Sequence, residues 1–160
     1  MTKVGMDLSV ATAAAREILQ LLEPHCRRIM VVGSIRRQKP IVHDIDIVLI
    51  PANQGRLAIA LRNLGEPAPS GPSIHACLYK RRYPVECYIA TESTWWTLVL
   101  IRTGSKEHNI RLASLAQSKH WQLKADGQGL FDERGYLVAG DSEESFFRAL
   151  GIPYKEPMKR

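Results

Sequence analysis

The stretch Gly33–Pro51, GSIRRQKPIVHDIDIVLIP, restricts the fold more than any other part of the chain. Ile45–Ile50 within it is rich in Ile and Val and has the pattern of a buried β-strand. Asp44 and Asp46 stand two residues apart at its start, and side chains at i and i+2 of a strand share a face. Two carboxylates side by side repel one another and destabilise a sheet. A divalent cation would relieve that repulsion. Mg²⁺ is hard and takes carboxylate oxygens, keeping substrate phosphates and waters as its other ligands. A third acid from a neighbouring strand would complete a set able to hold two ions. Such ions, about 3.5–4 Å apart, stabilise both the attacking and the leaving oxygen of an in-line phosphoryl displacement. Glu86, in PVECYIA, is the only acid between Val85 and Ala90 and is the candidate third ligand. The plainer alternative makes Asp44 a cap at the strand start and Asp46 a solvent-facing edge residue; a bare D-x-D does not choose between them.

The preceding residues bear on that choice. Arg28–Val32 is a short apolar strand that delivers the chain to Gly33-Ser34. A glycine at such a turn lets the backbone approach a phosphate, and exposed N–H groups with the Ser34 hydroxyl can bind it. Arg36 and Arg37 follow, and a guanidinium grips phosphate oxygens in bidentate fashion. One loop thus offers phosphate ligands and the next strand metal ligands, which points to a nucleoside triphosphate site.

The pattern elsewhere predicts an α+β chain. Helices are expected over Leu8–Leu22, Arg56–Leu64 and Ser93–Arg102, and from Gly104-Ser105 to about Ser118. Strands are expected over Ile74–Tyr79 and Val85–Ala90, joined by the basic turn KRRYP. Glu66–Ser73 reads as a Pro/Gly/Ser loop, short strands are expected near residues 126–135, and Asp141–Glu144 reads as a capping box for a last helix to Leu150. The expected organisation is a mixed sheet with flanking helices over residues 1–102 and a smaller helical and hairpin unit over 103–160. The N-terminal MTKVGMDLSVATAAAREI has no signal-peptide core, and no apolar run reaches the roughly 18 residues that span a bilayer, so a cytoplasmic protein without a membrane partner is expected. Cys26, Cys77 and Cys87 have neither disulfide-framework nor zinc-site spacing and are expected to be reduced thiols. With 22 Lys+Arg against 16 Asp+Glu, the chain is basic enough to suit a polyanionic partner.

Gly33-Ser34-Ile35-Arg36-Arg37 followed by Asp44-Ile45-Asp46 resembles the nucleotidyltransferase signature of the DNA polymerase beta superfamily, and more narrowly its X family. Val85-Glu86 sits where the third acid belongs. Thr103-Gly104-Ser105-Lys106-Glu107-His108-Asn109 resembles the family's TGS…N motif. Gly129-Leu130-Phe131 and Gly151-Ile152-Pro153-Tyr154, with Glu156-Pro157, resemble its C-terminal hairpin and tail. The resemblance covers about Leu8 to Arg160. It implies a nucleotidyltransferase palm with a C-terminal nucleotide-selecting subdomain, and two Mg²⁺ ions for which Mn²⁺ could substitute. Asp44 and Asp46 would bind both ions. Glu86 would bind the catalytic one and is the candidate acceptor of the primer 3′-hydroxyl proton. Gly33, Ser34 and Arg37 would hold phosphates, Ile101, Gly104 and Ser105 would flank the sugar, and Asn109 would reach the minor-groove edge of the incoming base. The activity implied is primer extension from deoxynucleoside triphosphates, with short-gap filling in DNA repair as its setting and a monomer as its form.

Several positions depart from the family pattern. The usual third acid is Asp where this chain has Glu86. Pro84 replaces a common arginine, His43 a glycine, Ile101-Arg102 an aromatic pair, and Ala113 an arginine. Only about 25 residues precede the first core strand, so a minimal form without the family's lyase and DNA-binding domains is expected. Primer-template or gapped DNA would then be held by phosphate contacts from Lys80, Arg81, Arg82, Arg102, Lys106 and Arg111. The alternatives are another nucleotidyltransferase of the superfamily, acting on RNA, protein or a small molecule, and a catalytically weak module that binds DNA ends or gaps.

Overall fold

The architecture is that of a computed structural model and is described for residues 4–160; residues 1–3, the first of the stretch read for a leader, lie outside it. Along the chain run β1 (Met6–Asp7), α1 (Leu8–Leu22), β2 (Cys26–Val31), α2 (Gly33–Arg36), β3 (Ile41–Val42), β4 (Ile45–Pro51), α3 (Gln54–Leu64), β5 (Gly65–Ala68), β6 (Ile74–Tyr79) and β7 (Tyr83–Ile89). Then come α4 (Trp95–Thr103), α5 (Lys106–Ser118), β8 (Gln122–Lys124), β9 (Gly129–Phe131), β10 (Leu137–Ala139) and α6 (Glu143–Leu150). The main sheet has five strands in the order β2-β4-β7-β6-β5. It is mixed: β4 and β7 run parallel and its other pairings are antiparallel. A three-stranded antiparallel sheet, β10-β9-β8, belongs to the C-terminal part, and β1 pairs with β3. The fold is α+β.

The central strands are covered on both faces. Ile45, Ile47 and Leu49 of β4, with Val85 and Cys87 of β7, pack beneath Ala14, Ala15, Ile18 and Leu22 of α1 and Leu57, Leu61 and Leu64 of α3. The alternate residues Val48, Ile50 and Tyr88, with Ala90 just beyond β7, meet Trp95, Leu98 and Val99 of α4 on the opposite face. Period two therefore assigns Asp46 and Glu86 to the α4 side, at the end of the sheet that α4 leaves uncovered. A third cluster joins Leu100 of α4 to Leu112 and Ala116 of α5, Leu130 and Ala139 of the small sheet, and Phe146, Phe147 and Leu150 of α6. Trp96 packs against both the second and the third clusters, so α4 is shared between the two parts.

Two sequence expectations are corrected. Glu66-Pro67-Ala68 is not loop but part of β5, an edge strand paired with β6. Proline is tolerated there because an edge strand does not need its N–H in the ladder. The capping box at Asp141–Glu144 is also displaced. Ser142 is the N-cap, its hydroxyl accepting from the Ser145 N–H at 3.1 Å, and Glu143 points inward. Glu143 is 3% exposed and accepts from both guanidinium nitrogens of Arg36 at 3.0 and 2.6 Å, and from Arg160 Nη1 at 2.7 Å. Arg36 Nη1 also donates to the buried Thr103 hydroxyl at 2.7 Å. Trp95 is buried core, with the Arg28 guanidinium 4.6 Å from its ring centroid. The three cysteines are free thiols, and burial pushes the pKa of each upward.

Burial alone would push the Glu143 carboxyl up, but the hydrogen bonds from Arg36 and Arg160 outweigh it and hold the carboxyl below its ordinary value of 4.5. Its ionic contribution is therefore complete above that ordinary value and is lost as pH falls through the depressed one. Removing one partner of a buried charge cluster costs roughly 3–5 kcal/mol. Glu143→Ala is expected to lose an amount in that range at pH 7 by denaturant unfolding, and the gap to wild type should narrow as the pH drops below about 4.5.

Candidate active site

An open cleft of about 380 Å³ lies where α2, the start of β4, β7 and the α4–α5 junction meet. It is lined by Gly33, Ser34, Arg37, Asp44, Asp46 and Tyr88 from the sheet side, and by Ile101, Arg102, Gly104, Lys106, Asn109 and Ile110 from the helical side. Six of the seven nucleotide-binding residues expected from sequence thus come together: Gly33, Ser34, Arg37, Ile101, Gly104 and Asn109. The seventh, Ser105, is the N-cap of α5, where its hydroxyl accepts from the His108 N–H at 3.3 Å.

Gly33 is a residue the loop exchanges only under strain. Its φ is +62°, and a Cβ there would run into the Asp46 carboxylate. The Val32 N–H donates to the Asp46 carbonyl at 2.8 Å, so loop and strand are tied at this point. The first turn of α2 is therefore laid directly on a carboxylate of β4.

Asp46 and Glu86 are register partners across the parallel β4–β7 pair, and Asp44 lines the cleft one residue before β4. The Tyr88 hydroxyl donates to Glu86 Oε2 at 2.6 Å and lies 3.4 Å from Asp46 Oδ1. Burial, followed by the Glu86 hydrogen bond, pushes the Tyr88 phenol far above its ordinary pKa, so it remains a donor. Among the described residues no three His, Cys, Asp or Glu side chains are gathered into a ready-made metal cluster. The donors on offer are hard carboxylate oxygens on adjoining strands, which suits Mg²⁺ or Mn²⁺ in kind.

Four residues that line the cleft also carry unmet hydrogen-bonding capacity. Ser34 Oγ, Arg37 Nε, Arg102 Nε and Asn109 Oδ1 are buried and have no hydrogen-bond partner among the described residues. Such atoms are rare in folded proteins and cost about 1–3 kcal/mol each when left unsatisfied. The rest of these side chains is anchored. An Arg37 guanidinium nitrogen donates to the Thr103 carbonyl, Asn109 Nδ2 donates to the Ile101 carbonyl at 2.8 Å, and the Arg102 guanidinium sits 4.1 Å from the Tyr88 ring centroid. Arg36, by contrast, turns away to Glu143 and Thr103 and does not line the cleft.

The basic residues separate into groups. Arg102 and Lys106 line the cleft, while Arg111 borders a different groove beside His108 and Tyr154. In the β6–β7 turn, Lys80 pairs with Glu17 and Arg81 with Glu66, both at 2.6 Å, and the Arg82 guanidinium lies 5.3 Å from the Tyr83 ring centroid. His108 is buried against Phe147, and burial and then Arg160 push its pKa down to about 4. Sequence reasoning misses Tyr88 and the inward role of Arg36. Parity is the signal that could have found Tyr88, since it is two residues from Glu86 on the same strand face.

The family model for the DNA polymerase beta thumb matches residues 98–160. The chain is 27% identical over 157 residues to the DNA polymerase/3′-5′ exonuclease PolX of Bacillus subtilis, covering 94% of this chain and 27% of that protein. It is 25% identical over 152 residues to the repair DNA polymerase X of African swine fever virus, covering 88% of this chain and 86% of that protein. Over most of its length the chain is similar to DNA polymerases X, and over residues 98–160 to the polymerase beta thumb. Its fold matches the ternary P/T complex of Leishmania infantum polymerase beta with a TM-score of 0.76 at 21% identity, covering 98% of this chain and 77% of that one. Of the Bacillus protein, then, the chain spans little more than a quarter.

Gly33→Ala is expected to destabilise the fold by about 1–2 kcal/mol through its left-handed backbone alone. The added Cβ should also drive the Asp46 carboxylate off its present position. Thermal unfolding measures the first effect, and a crystal structure of the variant checks the second.

Proposed function

We propose that this chain is a DNA polymerase of the X family, a DNA-directed enzyme that transfers a nucleotidyl group from a deoxynucleoside triphosphate to a primer 3′-hydroxyl in short-gap repair. The observation that carries the reading is the cleft. Ser34, Arg37, Arg102 and Asn109 line one space with Asp44 and Asp46, and each carries a polar atom that has no hydrogen-bond partner among the described residues. A triphosphate with a sugar and base suits a cleft lined by these side chains and two carboxylates. Ser34 and Arg37 receive the phosphates at the start of α2, where the loop has close backbone approach. Ile101 and Gly104 form the floor below the sugar, and Asn109 Oδ1 meets the base. Asp44, Asp46 and Glu86 would hold two divalent ions, which when bound would supply charge stabilisation for the attacking and leaving oxygens. Glu86 is the nearby carboxylate proposed to take the 3′-hydroxyl proton.

The same proposal divides the chain into a catalytic part over 1–102 and a nucleotide-selecting part over 103–160. It gives the DNA phosphate contacts to Lys80, Arg81, Arg82, Arg102, Lys106 and Arg111. The ion pairs of Lys80 and Arg81 do not argue against that assignment. Exposed pairs are worth about 0–1 kcal/mol, so a DNA phosphate can displace the carboxylates. The Bacillus and viral relatives are both named DNA polymerases, the viral one a repair polymerase, which favours DNA over other acceptors.

The deciding experiment is labelled primer extension on gapped, recessed and single-stranded DNA with Mg²⁺ or Mn²⁺. Asp46→Asn is expected to lose extension by at least roughly a hundredfold while keeping DNA affinity. Extension at the wild-type rate in that variant, or no metal-dependent extension by wild type on any primer, would sink the reading. A second measurement concerns the turn. Replacing Arg81 and Arg82 together by Ala is expected to weaken binding to all duplex sequences alike. It should flatten the log–log salt slope by about 0.9 for each phosphate that is no longer neutralised. An unchanged slope would return the turn to a solvated surface feature.

A further inference from the structure

Glu86 is a long side chain asked to hold one position. A glutamate has one more rotatable bond than an aspartate. The β4–β7 register places its backbone and leaves its carboxylate to be set by side-chain partners. Tyr88, two residues on and on the same strand face, is such a partner, with its hydroxyl 2.6 Å from Glu86 Oε2. The second carboxylate, Asp46, is 3.4 Å from the same hydroxyl, too far to compete well for its single proton.

Tyr88 is itself fixed. It is 6% exposed, its body packed with Val48, Ala90, Trp95 and Leu98, and the Arg102 guanidinium lies 4.1 Å from the ring centroid. A phenol held in this way has little freedom to follow the carboxylate; the carboxylate must come to it. Tyr88 also lines the cleft beside Asp44 and Asp46.

We propose that Tyr88 is the positioning residue for the third carboxylate: its hydroxyl orients Glu86 for divalent-ion binding, and the Glu86–Tyr88 pair works as one unit. The inference rests on the metal-dependent reading above. Outer hydrogen bonds to ligating carboxylates typically matter by 10–100-fold in metal affinity. A Glu86→Asp change draws the carboxylate back by one methylene, away from the Tyr88 hydroxyl, so it breaks the same hydrogen bond that Tyr88→Phe removes.

The test is Mn²⁺ binding by the full chain, followed by the electron paramagnetic resonance of the free ion. The proteins are wild type, Tyr88→Phe, Glu86→Asp, the double variant and Asp46→Asn. Tyr88→Phe keeps the buried ring and should keep the fold, checked by its thermal midpoint. It is expected to bind Mn²⁺ at least tenfold more weakly. The double variant should be no worse than the weaker single variant, within a factor of about three, because both changes remove one hydrogen bond. Wild-type affinity in Tyr88→Phe, or single effects that multiply in the double variant, overturns the proposal while leaving the metal site standing, provided that Asp46→Asn abolishes binding. If wild type binds no Mn²⁺, or Asp46→Asn binds as wild type does, the metal-dependent reading falls and this inference falls with it.

Discussion

The parallel pairing of β4 with β7 is the constraint on which the rest depends. It sets Ile45 beside Val85, Asp46 beside Glu86 and Ile47 beside Cys87. The odd-numbered positions are claimed by the core under α1 and α3, and the even-numbered ones by the α4 side. A slip of one residue in either strand would exchange the faces and bury a carboxylate among leucines. The apolar residues therefore determine where the acids go. Burial of Ile47 and Val85 enforces the adjacency of Asp46 and Glu86, although two neighbouring carboxylates gain nothing from each other.

Helix α4 carries that arrangement across to the helical side of the cleft. It is apolar around most of its circumference because it is buried against two partners, the main sheet and the C-terminal cluster. Its last turn delivers Ile101, Arg102 and Thr103 to the cleft region, and the glycine that follows, with φ of +68°, turns the chain into α5. Thr103 then receives both arginines of the α2 loop, Arg36 at its hydroxyl and Arg37 at its carbonyl. The two walls of the cleft are in this way joined through partly buried hydrogen bonds as well as through packing.

Much of this was legible in the sequence, and the residues that were not share a reason. Helix α1 falls where its periodicity and Pro24 place it, and β4 where its Ile/Val run does. The members of the cleft were legible because Gly, Ser, Arg and Asp in that order have few other uses. Strand β5 was not, because Pro67 and the glycines around it read locally as loop, while its pairing with β6 is a non-local fact. The resemblance singled out Arg37 of the adjacent pair Arg36-Arg37, but only the fold reveals that Arg36 faces a buried glutamate. Glu143 looked like a helix-cap residue for the same reason: its partners lie 107 and 17 positions away. Tyr88 looked like one more aromatic in an apolar strand.

The cluster of Arg36, Glu143 and Arg160 has an evolutionary reading. Two cations share one buried anion, so no single member can drift without stranding charge in the interior. Loss of the glutamate leaves two guanidinium groups facing each other; loss of either arginine leaves Glu143 half-compensated. Routes through sequence space that pass by one change at a time are closed here. Descendants of this fold would be expected to alter the three positions in concert, with Thr103, which accepts a hydrogen bond from the same Arg36, left free to follow.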